Sequence, residues 1–255
     1  MQSLERGLAV LAAFSPERPT LTLSDLARQA GLARSAARRF LLTLVDLGYV
    51  GVDGRNFYLK SRVLELGFTY LSSLLLPEVA RPHLARLSAE LGRSTSLGIL
   101  EGDDVVYVGR VAAKRILAAG IGVGTRLPAY VSSHGRVLLA ALPEAELDTY
   151  LDRVVLERRG PRTVSTPDAL RREIDIARDQ GWVLVDQELE EGVFSIAAPL
   201  RDASGDVVAS INVAVVAGTG AGPALVKAAL EPLLATVRTV EDQLRLAGTT
   251  IGPHR

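Results

Sequence analysis

Residues 21–50 read LTLSDLARQAGLARSAARRFLLTLVDLGYV and decide the fold of the N-terminal part of the chain. Ser24 is predicted to cap a first short helix with Asp25 in its first turn, because a hydroxyl oxygen and an acid both suit the free N–H groups at a helix start. Gly31 ends that helix, and a second helix is predicted from about Arg34 to Leu47. Two short helices joined by a glycine turn are typical of a helix-turn-helix.

The flanking segments extend this unit. Residues 4–14 predict an amphipathic helix, since apolar side chains recur at helical spacing and are expected to face inward; these are Leu4, Leu8, Leu11 and Phe14. Residues 53–56 read Asp-Gly-Arg-Asn between two alternating apolar runs. Asp-Gly in that setting predicts a β-hairpin, which directly after a helix-turn-helix would be a wing.

Charge is distributed unevenly along the chain. The whole sequence carries 29 lysine and arginine residues against 29 aspartate and glutamate residues. Residues 1–60 hold eight of the cations and five of the anions, a net charge of +3, so the remaining 195 residues carry −3. Four arginines but no acid lie between Asp25 and Asp46. A basic N-terminal piece on an acidic body predicts an anionic partner for the small piece.

Composition excludes several classes of protein. The chain has 255 residues and 48% apolar residues, which predicts folded domains rather than disorder. It contains no cysteine, so it offers neither a disulfide nor a thiolate ligand or nucleophile. No apolar run reaches the roughly 18–20 residues of a membrane helix, and the N-terminus lacks a signal-peptide pattern. These features predict a soluble, cytoplasmic protein.

The sequence predicts three parts: a winged helix-turn-helix over 1–60, a linker helix over 61–77 and an effector-binding domain over 78–255. The linker reads as an unusually apolar helix, as a dimer interface requires, and Pro77 is expected to mark a joint. The last part alternates strands and helices, with glycine- and aspartate-containing turns between adjacent strands at 102–104 and 202–206. This pattern predicts an α+β domain of GAF or PAS type, with an antiparallel sheet, helices on one side and a small molecule enclosed against the sheet.

Taken together, these blocks resemble the IclR family of transcriptional regulators. The resemblance covers essentially the whole chain. It is carried by QSLERGLAVLAAF, the helix-turn-helix block, RVLELG, LPAYVSSHGRVLLAAL, GWVLVDQELEEGVFSIAAPLRD and VVASINVAV, in the family's order. The effector-domain blocks are most similar to regulators of aromatic-acid catabolism in the protocatechuate, 4-hydroxybenzoate and β-ketoadipate branch. Membership implies a homodimer or homotetramer that binds palindromic operator DNA, with a small organic acid as effector.

The helix-turn-helix also predicts which residues meet DNA. A recognition helix reads base edges in the major groove with its N-terminal residues, and a wing contacts phosphate or the minor groove. The predicted DNA-binding residues are Arg34, Ser35, Ala36, Arg38 and Arg39 on the helix, and Arg55, Asn56 and Lys60 on the wing.

The effector site is expected where residues 132–136 open a helix, since free N–H groups there suit a carboxylate. Carried over from the family, the pocket includes Ser133, His134, Asp186, Ser195, Ser210 and Asn212. Two positions depart from the family pattern: Ser195 stands where many members have cysteine, and Asn212 where many have serine. Arg126 is a further cation considered for this site.

Two other interpretations remain open at this point. Ser133, His134 and Asp186 contain the ingredients of a hydrolase triad, but no G-x-S-x-G elbow is present. The rival class is therefore a sensor or hydrolase that uses its C-terminal domain catalytically and does not bind DNA. Three histidines far apart in sequence, His83, His134 and His254, predict no metal site, and no cofactor is expected.

Overall fold

In the computed structural model, the structure describes residues 2–15, 17–66, 75–113, 121–218 and 220–247. The chain divides into two units, residues 1–74 and 75–255. Helical backbone is present at 63–66, but eight of the seventeen residues of the predicted linker helix, 67–74, lie outside the described residues. The predicted boundaries at 60 and 77 therefore stay predictions. So does the extended structure expected near 115–128, except at its end, where a short strand is present.

The N-terminal unit is the predicted winged helix-turn-helix with one extra strand. Its elements are α1 (Gln2–Ala12), β1 (Thr20–Thr22), α2 (Leu23–Gln29), α3 (Arg34–Asp46), β2 (Val50–Asp53) and β3 (Asn56–Leu59). The unpredicted β1 pairs with β3 and makes an antiparallel sheet of order β1-β3-β2. Strand pairing therefore connects the wing to Thr22, the residue that precedes α2.

Two local predictions in this unit are wrong. The cap of α2 is Thr22, whose hydroxyl accepts the N–H of Asp25, rather than Ser24. Pairing of β1 with β3 holds Thr22 in extended backbone, and the helix begins two residues earlier than expected. Leu4 and Leu8 of α1 are 72% and 54% exposed, whereas Leu11 and Phe14 of the predicted stripe do pack against the apolar cluster that contains Val10.

The glycine turn between α2 and α3 is as predicted. Gly31 has φ +63°, a left-handed conformation that L side chains rarely adopt. The turn lets Leu26 of α2 and Leu41 of α3 bury themselves in one apolar cluster with Val10 and Val50. That cluster leaves the opposite face of α3 to solvent.

The C-terminal unit alternates helices and strands in the predicted order. Its elements are α4 (Leu75–Leu91), β4 (Ser94–Glu101), β5 (Asp104–Val111), β6 (Arg126–Pro128), a 3-10 turn (Ala129–Val131), α5 (Ser133–Leu139), α6 (Glu144–Arg153), α7 (Pro167–Gln180), β7 (Val183–Asp186), β8 (Val193–Arg201), β9 (Val207–Val216) and α8 (Ala221–Leu246). Pro77 lies inside α4 instead of marking a joint. A helix's first turn tolerates proline because its N–H groups have no partner there.

The six strands form one antiparallel sheet of order β6-β5-β4-β9-β8-β7. Helices lie on both of its faces, not on one as expected. Thr95 of β4 donates to the carbonyl of Leu84 in α4, whereas Gly98, three residues later and therefore on the other face, lies against His134 of α5. The space between α5 and the sheet is where a small molecule can be enclosed.

Candidate functional site

The exposed face of α3 carries three arginines. Ala37, Leu41 and Leu44 are buried against the rest of the unit, and Arg34, Arg38 and Arg39 are exposed on the other side. Among the described residues, none of these three guanidinium groups has an ion pair or hydrogen bond. Each can therefore meet an anion without first breaking an internal contact.

The remaining predicted DNA-binding residues lie in the first turn of α3 and in the hairpin that follows it. Ser35 is exposed and Ala36 is half-buried, both in the first turn of α3. On the hairpin, Arg55 lies in the exposed turn where Gly54 has φ +59°, Asn56 is the exposed first residue of β3, and Lys60 follows that strand. Their contacts with DNA stay predictions.

A cavity of about 330 Å³ opens between α5 and the sheet. Apolar walls surround a small set of polar groups, the usual make-up of a small-molecule site. The walls include Tyr107, Leu127, Val131, Val185 and Val193. The polar groups are Ser94, Arg110, Ser132, Ser133, Ser195 and Asn212, with Glu190 and Glu191 as exposed lining residues.

Close packing of α5 places its first residues in this cavity. A Cβ on Gly135 would lie 2.1 Å from the carbonyl oxygen of Ala129, so only glycine lets α5 press against the preceding 3-10 turn. Ser132 caps the helix by accepting the N–H of Gly135 at 2.9 Å. The neighbouring hydroxyl of Ser133 is buried and has no hydrogen-bond partner.

Arg110 is a cavity residue that the sequence analysis missed. It lies on β5, is half-buried, and donates from Nη1 to Ser96 Oγ at 3.2 Å. Burial lowers the pKa of its guanidinium below the usual range. An arginine side chain nonetheless stays charged at neutral pH. One sequence signal could have found it: a lone cation in the otherwise apolar strand DVVYVGRV. Arg126, the cation that was considered instead, pairs with Glu101 and Asp104 and does not line the cavity.

Of the six residues predicted for the pocket, the structure places Ser133, Ser195 and Asn212 on its wall. His134 and Ser210 are fully buried beside it, with 2.6 Å between Nδ1 and Oγ. Burial, and then the positive charge of Arg110, lower the pKa of His134 to about 3. The imidazole is therefore neutral at physiological pH. Its Nε2 and the Oδ1 of Asn212 have no hydrogen-bond partner among the described residues.

The prediction for Asp186 is wrong, because strand alternation turns it away from the cavity. Val185 lines the cavity, and the next side chain on β7 points to the opposite face, towards Gly222 of α8. There the Asp186 carboxylate accepts from Arg162 Nη1 at 2.5 Å and from Gln187 Nε2 at 3.0 Å.

This geometry does not assemble a hydrolase triad. His134 contacts Ser210 rather than Ser133, and Asp186 lies on the other side of the sheet. Within the described residues, no group of three or more potential ligands could hold a metal ion. The helices that the structure describes include none long and apolar enough to cross a membrane.

Comparison with known proteins adds independent evidence. The family model described as IclR helix-turn-helix domain matches residues 3–54, and the model described as bacterial transcriptional regulator IclR C-terminal matches residues 68–241. The Pca regulon regulatory protein of Pseudomonas putida is 44% identical over 96% of this chain and 84% of its own length. The p-hydroxybenzoate hydroxylase transcriptional activator of Acinetobacter baylyi is 35% identical over 82% of this chain and 79% of its own.

Solved structures agree over nearly the whole chain. A transcriptional-regulator structure from Rhodococcus sp. RHA1 matches with a TM-score of 0.85 and 48% identity, covering 97% of this chain and 99% of that one. An IclR homologue from Microbacterium hydrocarbonoxydans, solved as a complex with 4-hydroxybenzoate, matches with a TM-score of 0.80 and 31% identity, covering 96% and 99%.

Proposed function

Since the chain belongs to the IclR family of helix-turn-helix transcriptional regulators, we propose that it controls a catabolic operon in response to a small aromatic acid held in the cavity of its C-terminal unit. The family relation makes it a DNA-binding regulator rather than an enzyme. The identity of the effector and the residues that contact each partner are the proposed part.

One observation carries the effector proposal: a half-buried arginine opens on an apolar cavity that also holds unsatisfied polar atoms. Arg110 supplies a fixed positive charge for a carboxylate. Among the described residues, Ser133 Oγ and Asn212 Oδ1 are buried without hydrogen-bond partners. The Ser133 hydroxyl could donate to a ligand carboxylate, and Asn212 Oδ1 could accept from a ligand hydroxyl. The apolar walls suit an aromatic ring, and 4-hydroxybenzoate is the molecule bound to the Microbacterium relative.

The DNA side of the proposal uses the unpaired arginines of α3. Arg34, Arg38 and Arg39 would meet base edges and phosphates in the major groove, while Arg55, Asn56 and Lys60 on the wing would meet the backbone. A homodimer or homotetramer would place two such helices on a palindromic operator with half-sites about 34 Å apart. The effector would act through its different affinity for two arrangements of that assembly.

Titration calorimetry tests the effector directly. We expect 4-hydroxybenzoate or protocatechuate to bind the full-length protein, and 4-hydroxybenzamide, which keeps the ring but has no carboxylate, to bind far more weakly. Preferential binding of β-ketoadipate would support an organic acid as effector and contradict the requirement for an aromatic ring. Equal binding of the benzamide would exclude the carboxylate–arginine contact, and no binding by any acid would reject the proposed effector class.

The second arm of the experiment links the effector to transcription. Fluorescence anisotropy with the protein's own promoter DNA, measured with and without the bound acid, should show a change in operator affinity. An acid that binds but leaves operator affinity, footprint and transcription unchanged would be a ligand without a regulatory role.

A further inference from the structure

The loop between β7 and β8, residues 187–192, forms one rim of the cavity and is called the rim loop below. Leu189, Glu190 and Glu191 of this loop line the cavity. Its first residue, Gln187, has φ +58°, and it is the one non-glycine residue with a positive φ in the described part of the chain. Such a conformation persists only where the surroundings impose it, so the contacts that hold this loop need an explanation.

A buried ion pair ties the rim loop to α5. Arg136 is fully buried, and its Nη2 lies 2.5 Å from Oε2 of Glu188 in the loop. The same guanidinium donates from Nε to the carbonyl of Tyr130 at 3.1 Å. Arg136 stands one helical turn after Ser133, which lines the cavity, so one short helix supplies both the cavity wall and the anchor of its rim.

Backbone contacts hold the other side of the rim loop. Thr163 Oγ1 donates to the carbonyl of Glu188 at 2.6 Å, and the N–H of Val164 lies 3.4 Å from the Glu188 carboxylate. Gly160 packs so closely that a Cβ there would lie 2.2 Å from the carbonyl of Gln187. Glu188 is therefore held by hydrogen bonds both to its carboxylate and to its backbone carbonyl.

Stability alone does not account for this ion pair. Burying two charges costs desolvation, and a well-packed apolar pair of similar volume is often as stable or more so. A charge-assisted hydrogen bond differs from an apolar contact in directionality, because the Nη2 group of Arg136 holds Oε2 of Glu188 in one place. Neither Arg136 nor Glu188 lines the cavity, whereas Leu189, Glu190 and Glu191, which follow Glu188 directly, do.

We propose that the Arg136–Glu188 ion pair positions the rim loop over the cavity and so sets how fast a bound effector leaves, without either residue touching the effector. The part concerning effector release rests on the proposed function. The part concerning the loop does not, since it can be measured on the protein without any ligand.

Glu188→Gln in the full-length protein tests this, because glutamine keeps the size of the side chain and removes its charge. Stopped-flow measurements with 4-hydroxybenzoate should show dissociation about tenfold faster with little change in association. Hydrogen exchange in the ligand-free protein should show lost protection of the rim-loop amides. Glu173→Gln is the matched control: it removes the more exposed carboxylate 3.7 Å from Arg136 Nη1, and both readouts should stay close to wild type.

A stability control separates positioning from general destabilisation. Val240 is fully buried on α8, and Val240→Ala should lower Tm without changing effector dissociation. If Glu188→Gln lowers Tm but leaves dissociation and rim-loop exchange as in the wild type, the ion pair is structural only and the proposal is overturned. If the wild type binds none of the acids, the proposed function fails, and the exchange comparison still decides whether the ion pair positions the loop.

Discussion

The arginines of α3 and the arginine of α5 present the same side chain in opposite surroundings. Arg34, Arg38 and Arg39 are exposed and have no partner within the described residues, whereas Arg136 is fully buried and held by Glu188. Exposed cations are kept hydrated and available to bind a polyanion. A buried cation contacts a fixed partner, so its removal lowers the stability of the protein or displaces the loop that it contacts. Arg110, half-buried at the cavity, lies between these extremes.

Arg136→Met should have the largest effect of these variants on the free energy of unfolding. It is the strongest test of the difference between a buried and an exposed arginine. Burial already raises the pKa of Glu188 and Arg136 opposes that shift, so its loss leaves a carboxylate buried without its cation. We expect the free energy of unfolding in urea to fall by about 3–5 kcal/mol. Arg245→Met, at an exposed ion pair with Asp242, should cost about 0.5 kcal/mol or less. Equal losses in the two variants would show that burial does not distinguish the two arginines.

Arg38→Ala and Arg39→Ala should have the opposite profile: a large effect on DNA binding and little effect on stability. Within the described residues, neither guanidinium has a hydrogen bond or ion pair to lose, so the free energy of unfolding should be nearly unchanged. Operator affinity should fall by about 1–3 kcal/mol for each arginine that reads a base, as measured by anisotropy at fixed salt. Arg245→Ala is the control in the other unit. Salt-sensitive operator binding that survives both α3 substitutions would contradict the assignment of this helix.

Arg110→Gln should affect the ligand and spare the DNA. The variant loses a charged hydrogen-bond donor to the effector carboxylate, which is worth about 1.5–3 kcal/mol in effector binding by calorimetry. Affinity for operator without effector should stay unchanged. Arg126→Gln, outside the cavity, is the matched control. A similar loss in both variants would indicate long-range charge rather than direct contact.

His134 predicts a pH dependence confined to the C-terminal unit. Its pKa is about 3 in the folded chain against 6.5 for a free imidazole, so the unfolded state takes up the proton first. This contribution to stability is complete above pH 6.5 and is lost as pH falls from 6.5 towards 3, by about 1.4 kcal/mol per pH unit. Urea unfolding at pH 7, 6 and 5 should show a smaller acid loss in His134→Gln. Residues 1–74 contain no histidine and should lack this response.

Arg55→Ala should give the smallest effect. A wing cation that contacts phosphate weakens all DNA sequences alike, and its removal should reduce the slope of log affinity against log salt by about 1. Anisotropy titrations over several salt concentrations, with operator and with scrambled DNA, measure this slope. A loss confined to the operator would assign Arg55 to base reading instead.

Much of this molecule follows from neighbours along the chain. The turn at Gly31, the Asp-Gly hairpin and the strict bounds of α7 at Pro167 and Gly181 depend on residues a few positions apart, and all were predictable. The position of the cavity was predictable as a region, because the start of α5 and strands β8 and β9 could be located. The sequence blocks shared with the IclR family also predicted that the protein is a transcriptional regulator.

Which side chains meet depended on packing between distant elements. A strand turns over every second residue, so a one-residue difference separates Val185 in the cavity from Asp186 behind it. Arg110 reaches the cavity because β5 pairs with β4 in one register, and no local pattern encodes that register. Arg136 and Glu188 lie 52 residues apart and become partners only when α5 packs against the loop after β7. Short-range patterns specify elements, whereas burial and charge pairing arise from which faces the folded chain brings together.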